Sequence, residues 1–109
     1  MTNEGDPIIR RNKVRDGKQT GIFVYDNGRG TFEDNDIVAN ASAGIAVRSG
    51  ATPTVRANRI NRNGYEAIWI YEGGRGSFVE NDLRNNKRGV WDVASDCLPY
   101  LTRQGNSET

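Results

Sequence analysis

Short alternations of apolar and polar positions recur along the chain. Ile22-Phe-Val-Tyr25, Ile45-Ala-Val-Arg48 and Ile68-Trp-Ile-Tyr71 each begin a new round of the same pattern 23 residues after the last. A period of two is strand periodicity, and clusters of Gly and Asn interrupt every run before a helix could form. Set Gly5–Asn27 under Gly28–Gly50, Ala51–Gly73 and Gly74–Asp96, and like residues fall in columns with no insertion or deletion. Ile9, Phe32, Val55 and Phe78 share one column, and Val14, Ile37, Ile60 and Leu83 a second. Ile22, Ile45, Ile68 and Trp91 make a third, and Val24, Val47, Ile70 and Val93 a fourth. Self-similarity at 20–50 residues marks a solenoid, propeller or array. Each unit reads as three short strands, in the first coil residues 7–11, 13–15 and 22–25, with turns at Asn12, Asp16–Gly21 and Asp26–Gly30. Three strands per coil close a triangle, and coils stacked at about 4.8 Å give a rod roughly 19 Å long. The predicted fold is all-β: a short parallel β-helix of four 23-residue coils over residues 5–96, right-handed by the general preference of parallel crossovers.

Two polar columns have a mechanical reason within that fold. Asn12, Asn35, Asn58 and Asn81 form one, and Asn40, Asn63 and Asn86 form another, opened by Gly17. A buried corner leaves backbone groups unpaired, and a primary amide can both donate and accept along the stack, so these asparagines are expected to form structural ladders. Asn40-Ala-Ser42 matches a glycosylation acceptor, but its asparagine belongs to the second ladder and modification is not expected. Lys13, Asp36, Arg59 and Asp82 alternate in sign down an exposed column, and Arg10, Glu33 and Arg56 do so beside it, which predicts cross-coil pairs that fix register.

Composition narrows the picture. At 109 residues with 35% hydrophobic content the chain is one domain with a narrow core. Its net charge of +1 gives no footprint for nucleic acid or an anionic membrane. No signal peptide or membrane span is visible, which points to a soluble protein whose compartment stays open, the cytoplasm slightly favoured. The single Cys97 and the absence of histidine leave no internal disulfide and no Cys/His metal spacing, and neither a metal nor a cofactor is expected. Cys97 reads as a small buried filler.

The unit carried by Pro7-Ile-Ile-Arg-Arg-Asn12, Gly21-Ile22, Gly28-Arg-Gly30, Glu33-Asp-Asn35 and Gly44-Ile45 resembles right-handed parallel β-helix repeats of the CASH type, found in carbohydrate-binding proteins and sugar hydrolases. Within that group it is most similar to the β-helix region of F-box ubiquitin-ligase substrate receptors. The resemblance implies the fold and its hand. It covers Gly5 to about Val93 and includes no F-box and no zinc-rich domain, so ligase membership is not implied.

Many proteins of that fold are lyases, hydrolases or epimerases built on convergent carboxylates. Here Glu33, Asp34 and Asp36 sit together, and Glu80 and Asp82 recur two coils on, about 9.6 Å away by stacking. Arg56 and Arg59 lie between them and should hold the acids ionised, which removes the general acid such chemistry needs. Gly28-Arg-Gly30 and Gly73-Gly-Arg-Gly76 lack the Gly-Lys-Ser/Thr of a phosphate loop and read as corner glycines with positive φ. Pro7 and Pro53, in the column of Gly30 and Gly76, suit strand entrances.

The outward side of the third strand holds the remaining candidates. Alternation sends Phe23, Ala46 and Trp69 outward in one column and Tyr25, Arg48 and Tyr71 in the next, with Asp26 and Glu72 at the rim. Phe23, Tyr25, Arg48, Trp69, Tyr71 and Glu72 are therefore the candidate binding residues, for stacking on a sugar or on a partner protein, with Arg48 between Tyr25 and Tyr71. At the ends, residues 1–4 form a short leader too small to cover the open first coil, so self-association through coil ends or membership of a longer array is expected. Trp91 begins to close the other end, Cys97–Leu101 folds over it as a lid, and residues 102–109 follow as a mobile tail. The preferred reading is a non-catalytic module that presents this aromatic face to a protein or glycan. A polysaccharide-processing enzyme of the lyase or hydrolase class, working through surface carboxylates, is the alternative. A structural self-assembling module is the third reading.

Overall fold

The computed structural model describes residues 8–26 and 28–108. The expected leader 1–4 and Pro7 lie outside the described residues. Among the rest, twelve strands run in order: β1 Ile8–Arg10, β2 Lys13–Arg15, β3 Ile22–Val24, β4 Thr31–Glu33, β5 Asp36–Val38, β6 Ile45–Val47, β7 Thr54–Arg56, β8 Arg59–Asn61, β9 Ile68–Ile70, β10 Gly76–Val79, β11 Trp91–Val93 and β12 Leu101–Gln104. They stack into three parallel sheets, β1-β4-β7-β10-β12 as the first face, β2-β5-β8 as the second and β3-β6-β9-β11 as the third. Registers match the sequence columns, as in Ile9↔Phe32↔Val55 and Ile22↔Ile45↔Ile68. The architecture is a right-handed parallel β-helix. Strands are short because each coil must turn three corners within one period. The second face of the fourth coil shrinks to a bridge between Arg59 and Asp82.

One left-handed residue makes each of the first two corners. Arg11, Asp34, Ala57 and Glu80 share φ between 54 and 56°, and Asp16, Ala39, Arg62 and Asn85 share φ between 56 and 63°. At the third corner two successive positive φ values, 54° at Ser49 with 73° at Gly50 and 49° at Glu72 with 76° at Gly73, build tight turns closed by Ala51 N–H to the Arg48 carbonyl and Gly74 N–H to the Tyr71 carbonyl. Of the glycines expected at positive φ, Gly30, Gly73 and Gly76 are so. Gly74 has another reason to lack a side chain, because a Cβ there would lie 2.6 Å from the Val47 carbonyl oxygen.

The ladder asparagines follow the left-handed corners directly and point into the stack. Asn35, Asn58 and Asn81 are at most 2% exposed. Each backbone N–H and side-chain amide donates to the Oδ1 of the next ladder member, at 2.9–3.1 Å, while the same amide donates back to a strand carbonyl of the preceding coil. The second ladder repeats this through Asn40, Asn63 and Asn86, and Gly17 joins by donating its N–H to Asn40 Oδ1. Every buried corner is thereby satisfied from within the column.

The C-terminal stretch departs from the expected lid and tail. Cys97 is fully buried in the column of Ala51 and Gly74, so the lattice continues that far. A short 3-10 turn, Leu98–Tyr100, then adds two residues, and β12 joins β10 as a fifth layer. Asn106 extends the first ladder by accepting from Asn81, 25 residues back, and Ser107 bridges Asp82. The register places Arg103 opposite Phe78 in an otherwise apolar column. Its guanidinium carbon lies 5.1 Å from the Trp91 ring, which packs edge-on to Phe78, so a charged side chain covers this end of the core. With the added layer the described structure measures 29 × 27 × 27 Å, as wide as it is tall.

Candidate functional site

The third face gathers the candidate residues into two aromatic pairs, with Arg48 beside the first. Register aligns Phe23, Ala46 and Trp69, and the Arg48 and Tyr71 N–H groups bond the Val24 and Val47 carbonyls, which sets Tyr25, Arg48 and Tyr71 in the neighbouring column. Phe23 and Tyr25 meet edge to face at 5.3 Å. Trp69 and Tyr71 stack at 4.2 Å with planes 21° apart. Arg48 leans toward the first pair: its guanidinium carbon lies 5.1 Å from the Phe23 ring and 5.7 Å from the Tyr25 ring. The expected position between Tyr25 and Tyr71 is thus corrected, because the side chain lies toward the preceding coil, where two rings offer their electrons. The sixth residue, Glu72, sits at the left-handed corner with its carboxylate 3.7 Å from Arg48 Nη1, a loose ion pair with no hydrogen bond.

Burial shows how these side chains pack. The four aromatic side chains are half-buried, and Ala46 between Phe23 and Trp69 is fully covered although its column points outward. Burial pushes the Tyr71 phenol above its ordinary pKa, and Glu72 adds to this while the Arg48 charge opposes it. Arg48 Nε is buried without a hydrogen-bond partner, alone in this among the side-chain polar atoms of the described residues. The guanidinium therefore rests on the Phe23 and Tyr25 rings with its Nε edge lacking an acceptor.

The carboxylates of the enzymatic alternative are held by arginines. Arg59 binds Asp34 at 3.0 Å and also Asp36, its own pKa raised first by the hydrogen bond to Asp36, and Arg56 reaches Glu33 at 3.5 Å. Asp82 differs from the expected column pairing with Arg59. Its carboxylate turns to Arg84, two residues away, and that hydrogen bond lowers its pKa from 3.8 to about 2. No cluster of three or more His, Cys, Asp or Glu side chains able to hold a metal occurs among the described residues, and none of their helices is long and apolar enough to cross a membrane. The Cys97 thiol is pushed above its ordinary pKa by burial, which keeps it protonated.

Sequence reasoning found the columns of this site and missed two members of its surroundings. Asp92 pairs in register with Trp69, and Ala94 follows Ile70 through a 2.8 Å backbone bond, so a carboxylate and a small residue border the Trp69–Tyr71 pair. The column alignment carried that signal, since both positions lie one period beyond the aromatics.

No curated protein and no solved structure matches the chain significantly. The family model described as a right-handed β-helix region matches residues 1–105. Parallel coils, two asparagine ladders and that match together place the chain in the right-handed β-helix family.

Proposed function

We propose that this chain is a protein-binding module and that the outer surface of the third face is its contact surface. The observation that carries the reading is Arg48, an always-charged group leaning on the Phe23–Tyr25 pair with a buried Nε that has no acceptor and a carboxylate only at 3.7 Å. A partner segment whose backbone or side-chain oxygens reach this guanidinium supplies what the free protein lacks, and half-buried Tyr, Trp and Arg are the residue types that dominate protein interfaces. A glycan fits less well. Sugar stacking needs ring faces laid open side by side, whereas two rings stacked at 4.2 Å take one face from each other.

The test compares wild type with Trp69→Ala and Arg48→Gln. Partners captured by the wild type are purified and titrated against each variant, and a glycan array is run in parallel. Loss of about tenfold or more in affinity with an unchanged unfolding midpoint is expected. A purified partner bound equally by all three proteins defeats the proposal, and glycan binding with no protein partner moves the module to carbohydrate. Self-association through coil ends would instead appear as a size that rises with concentration in all three.

A further inference from the structure

The internal repeat shows the third face in two states. In the first, the pair Phe23 and Tyr25 carries a guanidinium from the next coil, Arg48. In the second, the pair Trp69 and Tyr71 meets Ala94 at the equivalent place one coil on, since Ala94 N–H bonds the Ile70 carbonyl as Arg48 N–H bonds that of Val24. No cation lies over Trp69 or Tyr71 among the described residues. Carboxylates stand around this pair: Asp92 is exposed and in register with Trp69, and Glu72 follows Tyr71 with 60% of its side chain exposed. Over residues 22–26, 45–49, 68–72 and 91–95 the charged residues are Arg48 and the acids Asp26, Glu72 and Asp92, with the exposed Arg29 and Arg75 three residues beyond Asp26 and Glu72. A cation over an aromatic ring gains about 0.5–1 kcal/mol at an exposed site, and neighbouring carboxylates add to it.

We infer that the partner presents an arginine or lysine side chain to the Trp69–Tyr71 pair, with Asp92 and Glu72 as its counter-ions. This rests on the protein-binding reading above and specifies its partner. The incoming cation takes the place over the second pair that Arg48 takes over the first. Ala94 leaves room for it, and the same partner segment sets its oxygens toward Arg48.

The chain has two tryptophans, Trp69 and Trp91, so the indole N–H region of a nitrogen–proton correlation spectrum carries two assignable signals. The protein is titrated with blocked tripeptides Gly-X-Gly, where X is Arg, Lys, Glu or Leu, at constant ionic strength. The Arg and Lys peptides are expected to shift the Trp69 signal and leave that of Trp91, which lies under Arg103, in place. Asp92→Asn and Glu72→Gln should each weaken that binding about two- to fivefold. An unmoved Trp91 signal shows that the variants remain folded. Equal shifts from the Glu peptide, no shift from any peptide, or full Arg binding by the double variant overturns the inference. If Trp69→Ala still abolishes capture of the purified partner in that case, the protein-binding reading survives and only the basic contact is wrong. If capture is also unaffected, both fall.

Discussion

Truncating Asn58 to alanine tests whether the ladders hold the coils together. Asn58 is 1% exposed and its amide is used on every side. Its Oδ1 accepts from the Asn35 backbone N–H and the Asn35 amide, both at 2.9 Å, and its Nδ2 donates to the Phe32 carbonyl at 2.8 Å and to Asn81 Oδ1 at 3.1 Å. Removing the side chain strands the Asn35 N–H and one Asn35 amide proton, while the Phe32 carbonyl stays in the β4–β7 ladder and Asn81 Oδ1 keeps the Asn58 N–H as donor. A buried polar group left unpaired costs about 1–3 kcal/mol, so the two of them cost roughly 2–4 kcal/mol once some water entry is allowed. That is a large part of the ~5–15 kcal/mol that holds a typical domain together. Asn12 supplies the control. It is exposed, and its Nδ2 turns back to the Arg10 carbonyl of its own coil, so Asn12→Ala should cost about 0.5–1 kcal/mol. Urea unfolding followed by tryptophan fluorescence and circular dichroism reads both. A midpoint for Asn58→Ala no lower than that for Asn12→Ala would refute the account of the ladder as the device that satisfies the corners.

Three further outcomes follow from the same lattice. In Gly44→Ala the new Cβ would stand 2.2 Å from Ile60 Cγ2 and 2.8 Å from the Ala67 carbonyl oxygen, so stability should fall by about 1–3 kcal/mol, and an unchanged melting temperature would contradict this packing. Ala57 turns its corner at φ 55°, a conformation that asparagine adopts more readily than alanine, so Ala57→Asn should stabilise by on the order of 0.5–1 kcal/mol, and a lower urea midpoint would count against the corner geometry. Asp82, whose pKa falls from 3.8 to about 2 through its hydrogen bonds to Arg84, favours the folded state as a carboxylate. Its contribution is complete above the unfolded value and is lost as pH falls through about 2, so Asp82→Asn should flatten the loss of stability below pH 4, seen as a shallower midpoint-against-pH curve.

The fold was legible because the four coils repeat without a gap, so every inward column could be read four times over. Strand bounds fell within a residue or two, and the ladders followed from asparagine at the corners. The fifth layer was hidden by two changes made together. The 3-10 turn at Leu98–Tyr100 shifts the period to 25 residues, and Arg103 takes the place where the column calls for an apolar side chain. Asn106 after Gly105, a ladder residue behind a left-handed corner at φ 64°, is the trace that remained. The left-handed residue of the first corner left no sign of its own, since Arg11, Asp34, Ala57 and Glu80 share a conformation and no side-chain type, and the asparagine after each is what marks the place. At the candidate site the columns were readable and the contacts were not. Register fixes which Cα atoms neighbour one another, but rotamers decide whether Arg48 leans on Tyr71 or on Phe23.

Charge is the other case, and it bears on function. A total of +1 gave no partner, yet the total is a sum over faces that differ in sign. The second face and its corner expose Lys13, Arg15, Arg59, Arg62 and Arg84 against Asp16, Asp36 and Asp82, while the third face sets Arg48 among Asp26, Glu72 and Asp92, with Arg29 and Arg75 beyond its rim. In a stacked coil the inward columns carry the packing and the ladders carry the corners, so an outward column can change sign or size with little effect on either. A face that gathers aromatics and acids under such freedom is not needed to hold the coils in place, because the ladders and the buried columns already do so. On the proposed reading, the outward columns of the third face take their composition from the partner that approaches them.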